Sequence, residues 1–225
     1  MEHPEYKDQT IEQSLKALQS EDGKERSKAA DALGELGEQS AIEPLIGLLH
    51  SDSEYYVRVS AAWALGQIGG EQAMDALIIA LKDYAVLSTA AEALARFKIE
   101  RAIRPIIEVF ENDSGVGHHY GLAAMSLATF GEPAFLPLIE ALEKPKGAGL
   151  VASTLGAMGD KRAIEPLMKM VRNRNIGGME RRVGVSALGQ LGGSEVFEFL
   201  KQVINDPNEE DVVRSWAAEA LDRIK

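Results

Sequence analysis

The sequence predicts an all-α solenoid of about seven helix hairpins, fourteen helices in all. Three observations carry this: a short motif that keeps returning, apolar residues at helical spacing around each copy, and prolines held at a near-constant offset from it. Ala32-Leu33-Gly34 returns as Ala64-Leu65-Gly66, Thr154-Leu155-Gly156 and Ala187-Leu188-Gly189, with degraded copies at Ala93-Leu94-Ala95, Ser126-Leu127-Ala128 and Ala220-Leu221-Asp222. Counted at the third residue of each copy, the spacings are 32, 29, 33, 28, 33 and 33 residues. Such a period marks one supersecondary unit used repeatedly, each copy needing its neighbours to bury its apolar face.

The elements follow in order. Residues 1–9 are polar and charged and are expected to form a disordered segment ahead of a single domain over 10–225. Thr10 to Ser20 places Ile11, Leu15 and Leu18 on one helical face. In the second hairpin, Val57, Ala61, Ala62, Leu65 and Ile68 share a helical stripe, and Gly69-Gly70 follows as a C-terminal stop. A partner helix then runs from about Glu71 to Lys82, with Ala73, Leu77, Ile78 and Leu81 inward. Pro44, Pro105 and Pro166 lie ten residues past their markers and Pro137 nine past its own, each near the start of the next helix. There a missing N–H costs nothing, because the first turn has no intrahelical acceptor for it. Lys144-Pro145-Lys146-Gly147 is a connection too short to hold an inserted domain, and Val212 to Ile224 supplies the last helix. The hairpins fall at about 10–36, 39–68, 71–97, 100–130, 132–158, 161–191 and 194–225.

Composition narrows the function classes. A net charge of −11, from 35 acidic and 24 basic residues, opposes non-specific binding to nucleic acid or anionic lipid. With no cysteine there is no disulfide, thiolate metal site or cysteine nucleophile. No apolar run approaches the length of a membrane span and no secretory h-region precedes the repeats, so a cytoplasmic protein is expected.

The run Val57-Arg58-Val59-Ser60-Ala61-Ala62-Trp63-Ala64-Leu65-Gly66-Gln67-Ile68-Gly69, with Ala41-Ile42-Glu43-Pro44-Leu45 and Ala163-Ile164-Glu165-Pro166-Leu167, resembles the HEAT repeat. More narrowly, it looks like the short, glycine-marked phycobilisome-lyase HEAT-like variety, and the resemblance covers nearly the whole chain. It implies a right-handed α-α superhelix, a HEAT-like solenoid, with the proline helices convex and the Val-Arg helices concave. It also implies a structural ladder in which Arg26, Arg58, Arg181 and Arg214 pair with turn carboxylates. Asp52, six residues before Arg58, is the candidate carboxylate. Leu87, Tyr120 and Ala148 interrupt the arginine series, so the third to fifth hairpins are the least regular.

No catalytic constellation stands out. The histidines are His3, His50, His118 and His119, and the adjacent pair points to different sides of one helix. Deoxyhypusine hydroxylase, an enzyme on this scaffold, binds metal through His-Glu pairs; this sequence has no His-Glu dipeptide, and no metal or cofactor is expected. There is no Gly-x-Ser-x-Gly nucleophile elbow, and Gly115-Val116-Gly117 and Gly147-Ala148-Gly149 lack the strand that a phosphate loop requires. They read as relief for close helix packing. Glu38, Glu43, Asp75, Glu108 and Glu140 read as a solvated outer face.

The inner helices carry the more informative pattern. Positions seven, six and three before each marker, and one after it, are not needed for the core and form one strip, because offsets of three and four share a helical face. Early repeats are polar there, with Ser27, Lys28, Asp31 and Glu35, whereas the middle of the chain offers Leu122, Met125 and Leu150. Tyr56, Trp63, Gln67, Glu92, Arg96, His118, Leu122 and Met125 are the candidate partner-binding residues of a concave groove. The competing reading buries these side chains in packing between repeats. Trp216, in the last helix, reads as a cap on the core.

Three functions compete. A non-enzymatic scaffold or adaptor binding a protein or peptide through the groove leads. A phycobilin lyase subunit or phycobilisome-associated chaperone is the alternative that the resemblance implies, with His118, His119, Tyr120, Arg96 and Glu92 near a bilin. Nucleic-acid binding is disfavoured, since Lys28, Arg96, Arg182 and Arg223 are interspersed with Asp31, Glu92 and Glu219.

Overall fold

The repeat builds a stack of antiparallel helix pairs, held by leucines at the centre and by small residues where one pair meets the next. The structure, a computed structural model, describes residues 4–112 and 117–224. Among the described residues it contains fourteen α-helices: α1 (Pro4–Ala17), α2 (Gly23–Leu36), α3 (Ile42–Ser51), α4 (Tyr55–Ile68), α5 (Glu71–Ala80), α6 (Leu87–Arg96), α7 (Ile103–Asn112), α8 (His118–Ala128), α9 (Glu132–Ala141), α10 (Ala148–Met158), α11 (Ile164–Arg172), α12 (Gly178–Leu191), α13 (Ser194–Asn205) and α14 (Asp211–Ile224). Short 3-10 turns at Gln39–Ala41, Glu100–Ala102 and Lys161–Ala163 lead into α3, α7 and α11. No strand occurs among the described residues, and the fold is the all-α HEAT-like solenoid that the periodicity predicts.

The chain divides into two compact units, Met1–Ala102 and Ile103–Lys225, where a single domain is expected from the sequence. The N-terminal expectation also changes: α1 starts at Pro4, six residues before Thr10. Proline is pre-organised for a helix's first position. The apolar stripe from which the sequence reading located this helix begins only at Ile11.

The recurring motif now has a physical meaning. Its leucines, Leu33, Leu65, Leu94, Leu127, Leu155 and Leu188, are fully buried at the hairpin centres. Its glycines receive the next repeat. A Cβ built on Gly34 would lie 2.7 Å from the Cα of Ala64, one on Gly66 would lie 2.8 Å from the Cβ of Ala93, and one on Gly156 would lie 2.9 Å from the Cβ of Ala187. Glycine and alanine therefore recur because inner helices approach backbone to backbone at this point. In each unit the inner row packs more tightly than the outer row (α3 and α5; α7, α9, α11 and α13), which puts the inner helices on the concave side.

Pro44, Pro105 and Pro166 each stand third in their helix, within the first turn. Pro137 does not. Gly131, with φ of 70°, starts α9 directly at Glu132 without a 3-10 turn, which leaves Pro137 inside the helix. The carbonyl of Pro133, four residues earlier, then lacks its helical donor.

Candidate functional site

Two kinds of surface compete for the role of site: the edge where the turns stack, and the exposed strip of the inner helices. The turn edge is built from the repeat-start arginines. In the first unit, Arg26 donates to the Ser20 carbonyl at 2.8 Å and the Glu21 carbonyl at 3.0 Å in its own turn. It also grips both Asp52 oxygens in the next turn, at 2.6 and 2.8 Å. Arg58 repeats the scheme, holding the Asp52 carbonyl at 3.0 Å and the Asp83 carboxylate at 2.5 Å. The carboxylate of Asp52 thus serves the preceding arginine, Arg26, and Arg58 takes only the main chain of that residue. This differs from a pairing of Asp52 with Arg58 along the sequence. The cause is direction: the turn residue faces back toward the earlier repeat, while its carbonyl faces its own helix. The bond from Arg26 holds the Asp52 carboxyl below the usual carboxylate range and pushes the guanidinium up.

The second unit carries the most buried form of this device. Arg181 is 1% exposed and donates to the Ile176 carbonyl at 3.0 Å, the Val171 carbonyl at 3.2 Å, Glu209 at 2.7 Å and Glu210 at 2.6 Å. Glu209, itself buried, also receives Arg174 at 2.5 Å, and Arg174 reaches Asp206 at 2.8 Å. Arg214 pairs with Asp211 of its own helix and with the Asp206 carbonyl. Where the arginine series lapses, Leu87, Tyr120 and Ala148 are buried instead, so an apolar side chain takes the arginine's place at the edge of the core. Every group here is satisfied within the chain. The turn edge is a fastening.

The inner strip of the first unit is largely consumed by packing. A Cβ on Gly23 would run into the hydroxyl of Tyr56, and one on Gly34 would come within 2.9 Å of the Trp63 ring. Tyr56 and Trp63 are therefore seated against α2 and are half-buried. Arg96 donates to the Gly66 carbonyl at 2.5 Å, closing the α4–α6 contact. Gln67 and Glu92 remain exposed. Ser27 and Ser60 are hydrogen-bonded at 2.8 Å, and burial pushes the Asp31 carboxyl up against the pull of its bond from Ser60.

The inner strip of the second unit is different. Leu122 and Met125 on α8 are 37% and 65% exposed, and His118 is exposed beside them. Helices α8 and α10 contain no lysine, arginine, aspartate or glutamate. Tyr120, placed beside a bilin under the alternative reading, is buried in the core. His118 and His119 stand with ring centroids 6.2 Å apart. Of the candidate residues, then, Tyr56, Trp63, Gln67, Glu92 and Arg96 belong to the first unit and His118, Leu122 and Met125 to the second. His3 and most of Gly115-Val116-Gly117 lie outside the described residues. Gly147 packs onto the backbone of Phe110, as close-packing relief requires.

Sequence reasoning missed Asp83, Glu209, Glu210 and Arg174, and with them several outer bridges such as Arg101–Asp75 and Arg162–Glu132. A usable signal existed, because opposite charges stand about one period apart throughout. Among the described residues, no group of three or more histidine, cysteine, aspartate or glutamate side chains could hold a metal. No helix among them is long and apolar enough to cross a membrane.

The family model for HEAT repeats matches residues 11–84 and 133–222, most of the chain. The chain belongs to the HEAT repeat family. Within that family, a deoxyhypusine hydroxylase of Phaeosphaeria nodorum is 37% identical over 75 residues, which cover 33% of this chain and 23% of that protein. The HEAT chain described here thus spans less than a quarter of its curated relative. Among solved structures, the complex of CpcE and CpcF of phycocyanin lyase from Nostoc sp. PCC7120 aligns over 96% of this chain and 94% of that one, with a TM-score of 0.52 and 24% identity. An archaeal HEAT-like repeats protein from Thermococcus onnurineus aligns over 99% and 98%, with a TM-score of 0.50 and 14% identity. At those identities both likenesses are of fold.

Proposed function

We propose that this HEAT repeat chain is a non-catalytic adaptor that docks a protein partner on the inner-helix face of its second unit. The observation that carries the reading is the exposure of Leu122 and Met125 on a helix without charged side chains, where a solvated surface is ordinarily polar. Exposed apolar anchors ringed by small and polar residues are the usual composition of a docking site. Trp63, Tyr56 and Arg96 support the reading less, since packing accounts for each of them. The phycobilin lyase or chaperone alternative rests on the fold alone.

A photo-crosslinking amino acid placed at Met125 tests the proposal in the native host. Leu136, on outer helix α9 and 66% exposed against 65% for Met125, is the matched control. Discrete protein adducts from position 125 and none from 136 are expected. Equal patterns at the two positions would sink the proposal.

A further inference from the structure

The same register position reads differently along the chain. Six residues before the marker, the first unit has Lys28, Ser60 and Thr89, all polar. The second unit has Leu122, Leu150, Val183 and Trp216, one on each of its four consecutive inner helices α8, α10, α12 and α14. None of the four is fully buried. They form an apolar row, and α10 and α12 approach closely beside it: a Cβ on Gly149, next to Leu150, would sit 3.4 Å from a Val183 methyl.

Three charges stand at the α14 end of that row: Arg182, and the exposed pair Glu219 and Arg223. Arg182 lies with its guanidinium 4.5 Å from the centroid of the Trp216 ring. Every other arginine in the chain has an oxygen partner: a hydrogen-bonded carbonyl, amide or carboxylate, or, for Arg223, an ion pair with Glu219. Among the described residues Arg182 has none, and its buried Nε lacks any hydrogen-bond partner. The nearby carboxylates are committed elsewhere. Glu180 accepts from the Gly149 N–H, Glu210 holds Arg181, and Glu219 lies 3.6 Å from Arg223. Buried donors in native structures are rarely orphaned, and a half-open guanidinium with no acceptor of its own is a place where a partner's carboxylate fits.

We infer that the occupant of this face is an amphipathic helix whose apolar side covers the Leu122–Leu150–Val183–Trp216 row and whose acidic side chain pairs with Arg182. The inference rests on the docking function proposed above and specifies its partner. A helix is the form that suits this surface, because it satisfies its own backbone hydrogen bonds. An extended segment needs a sheet edge or other backbone partners, which stacked helices do not offer. Four inner helices about 8–10 Å apart span roughly 24–30 Å. A helix rising 1.5 Å per residue crosses that in about 16–20 residues. The acidic character follows from Arg182 alone and runs against the chain's net charge of −11.

That opposition makes the test decisive. Two fluorescein-labelled 18-residue model helices share one leucine stripe, one flanked by glutamates and the other by lysines, and are titrated by anisotropy against the full chain at low salt. General attraction to an acidic protein favours the lysine peptide. The inference requires the glutamate peptide to bind at least tenfold more tightly, Arg182→Glu to reverse that order, and Leu150→Asp to weaken the glutamate peptide at least tenfold. Arg182→Gln, less disturbing to the fold, removes the preference, with circular dichroism checking each variant. Equal binding, a lysine preference, a glutamate preference that survives Arg182→Glu, or no binding of either peptide overturns the inference. If crosslinking at Met125 still yields adducts in those cases, the docking function stands and only the acidic-helix partner falls.

Discussion

Replacing Arg181 with alanine removes the centre of the second unit's ion network and leaves its acceptors behind. Glu209 is 7% exposed and would keep one bridge, from Arg174 at 2.5 Å. The Ile176 and Val171 carbonyls would lose this donor, and the Glu210 carboxylate, already half-open to water, would lose its partner. Removing one member of a buried pair costs about 3–5 kcal/mol, because the remaining charge stays desolvated. The surviving Arg174 bridge puts the expected loss at the lower end, about 3 kcal/mol. For a unit of this size that corresponds to a fall in melting temperature on the order of 10 °C. Arg214→Ala is the internal control: its pair with Asp211 is exposed, and such pairs contribute about 1 kcal/mol or less. Urea unfolding followed by circular dichroism reads the loss, and hydrogen exchange resolved by peptide should localise it to α12–α14. Arg181→Met combined with Glu209→Leu should recover most of the stability, since apolar packing replaces a buried pair at little cost. A loss for Arg181→Ala equal to that for Arg214→Ala would refute the claim that this pair fastens the repeats.

Two further outcomes follow from the packing and the ladder. Gly156→Ala puts a Cβ 2.9 Å from that of Ala187 and should cost about 1–3 kcal/mol, measured by urea unfolding. Gly47→Ala, at an exposed position of α3 with nothing within 4 Å, should instead gain about 0.5–1 kcal/mol. Because the folded-state pKa of Asp52 is depressed, its contribution is fully present above the unfolded value of about 3.9 and is lost as pH falls through the lower folded value. Asp52→Asn should therefore lower stability at neutral pH and flatten the acid limb of a stability–pH curve, and an unchanged acid limb would contradict the role given to Arg26.

The parts legible in the sequence are those that repeat. A motif whose leucine is buried and whose glycine receives the next alanine has to recur at the period of the stack, so hairpin number and helix order could be read directly. The arginines were legible for the same reason, standing eight residues before their markers at positions 26, 58, 181 and 214. Of their carboxylates only Asp52 was legible, and its partner was not, because Asp52, Asp83, Glu209 and Glu210 sit in turns of differing length and pair across a repeat boundary. The fates of Tyr56 and Trp63 were equally hidden. Each is decided by a glycine in the preceding hairpin, Gly23 and Gly34, and no local pattern links a ring to a gap about one period away. The start of α1 was lost because an apolar stripe reports only the part of a helix that touches a core.

Positions that the stack constrains and positions it leaves open separate cleanly in this chain. The marker leucines are buried in both units except at the last copy, where Leu221 is half-buried, and the arginine site holds either a paired arginine or a buried apolar residue, so the fold dictates both. The position six residues before the marker is filled by Lys28, Ser60 and Thr89 in one unit and by Leu122, Leu150, Val183 and Trp216 in the other, at equivalent places in the same architecture. Packing therefore does not require the apolar set, because the first unit folds with polar residues there. Exposed leucine where the same scaffold accepts lysine is what the docking function proposed above requires. Arg182, stacked on Trp216 without an acceptor, marks the end of that surface where the chain supplies no partner of its own.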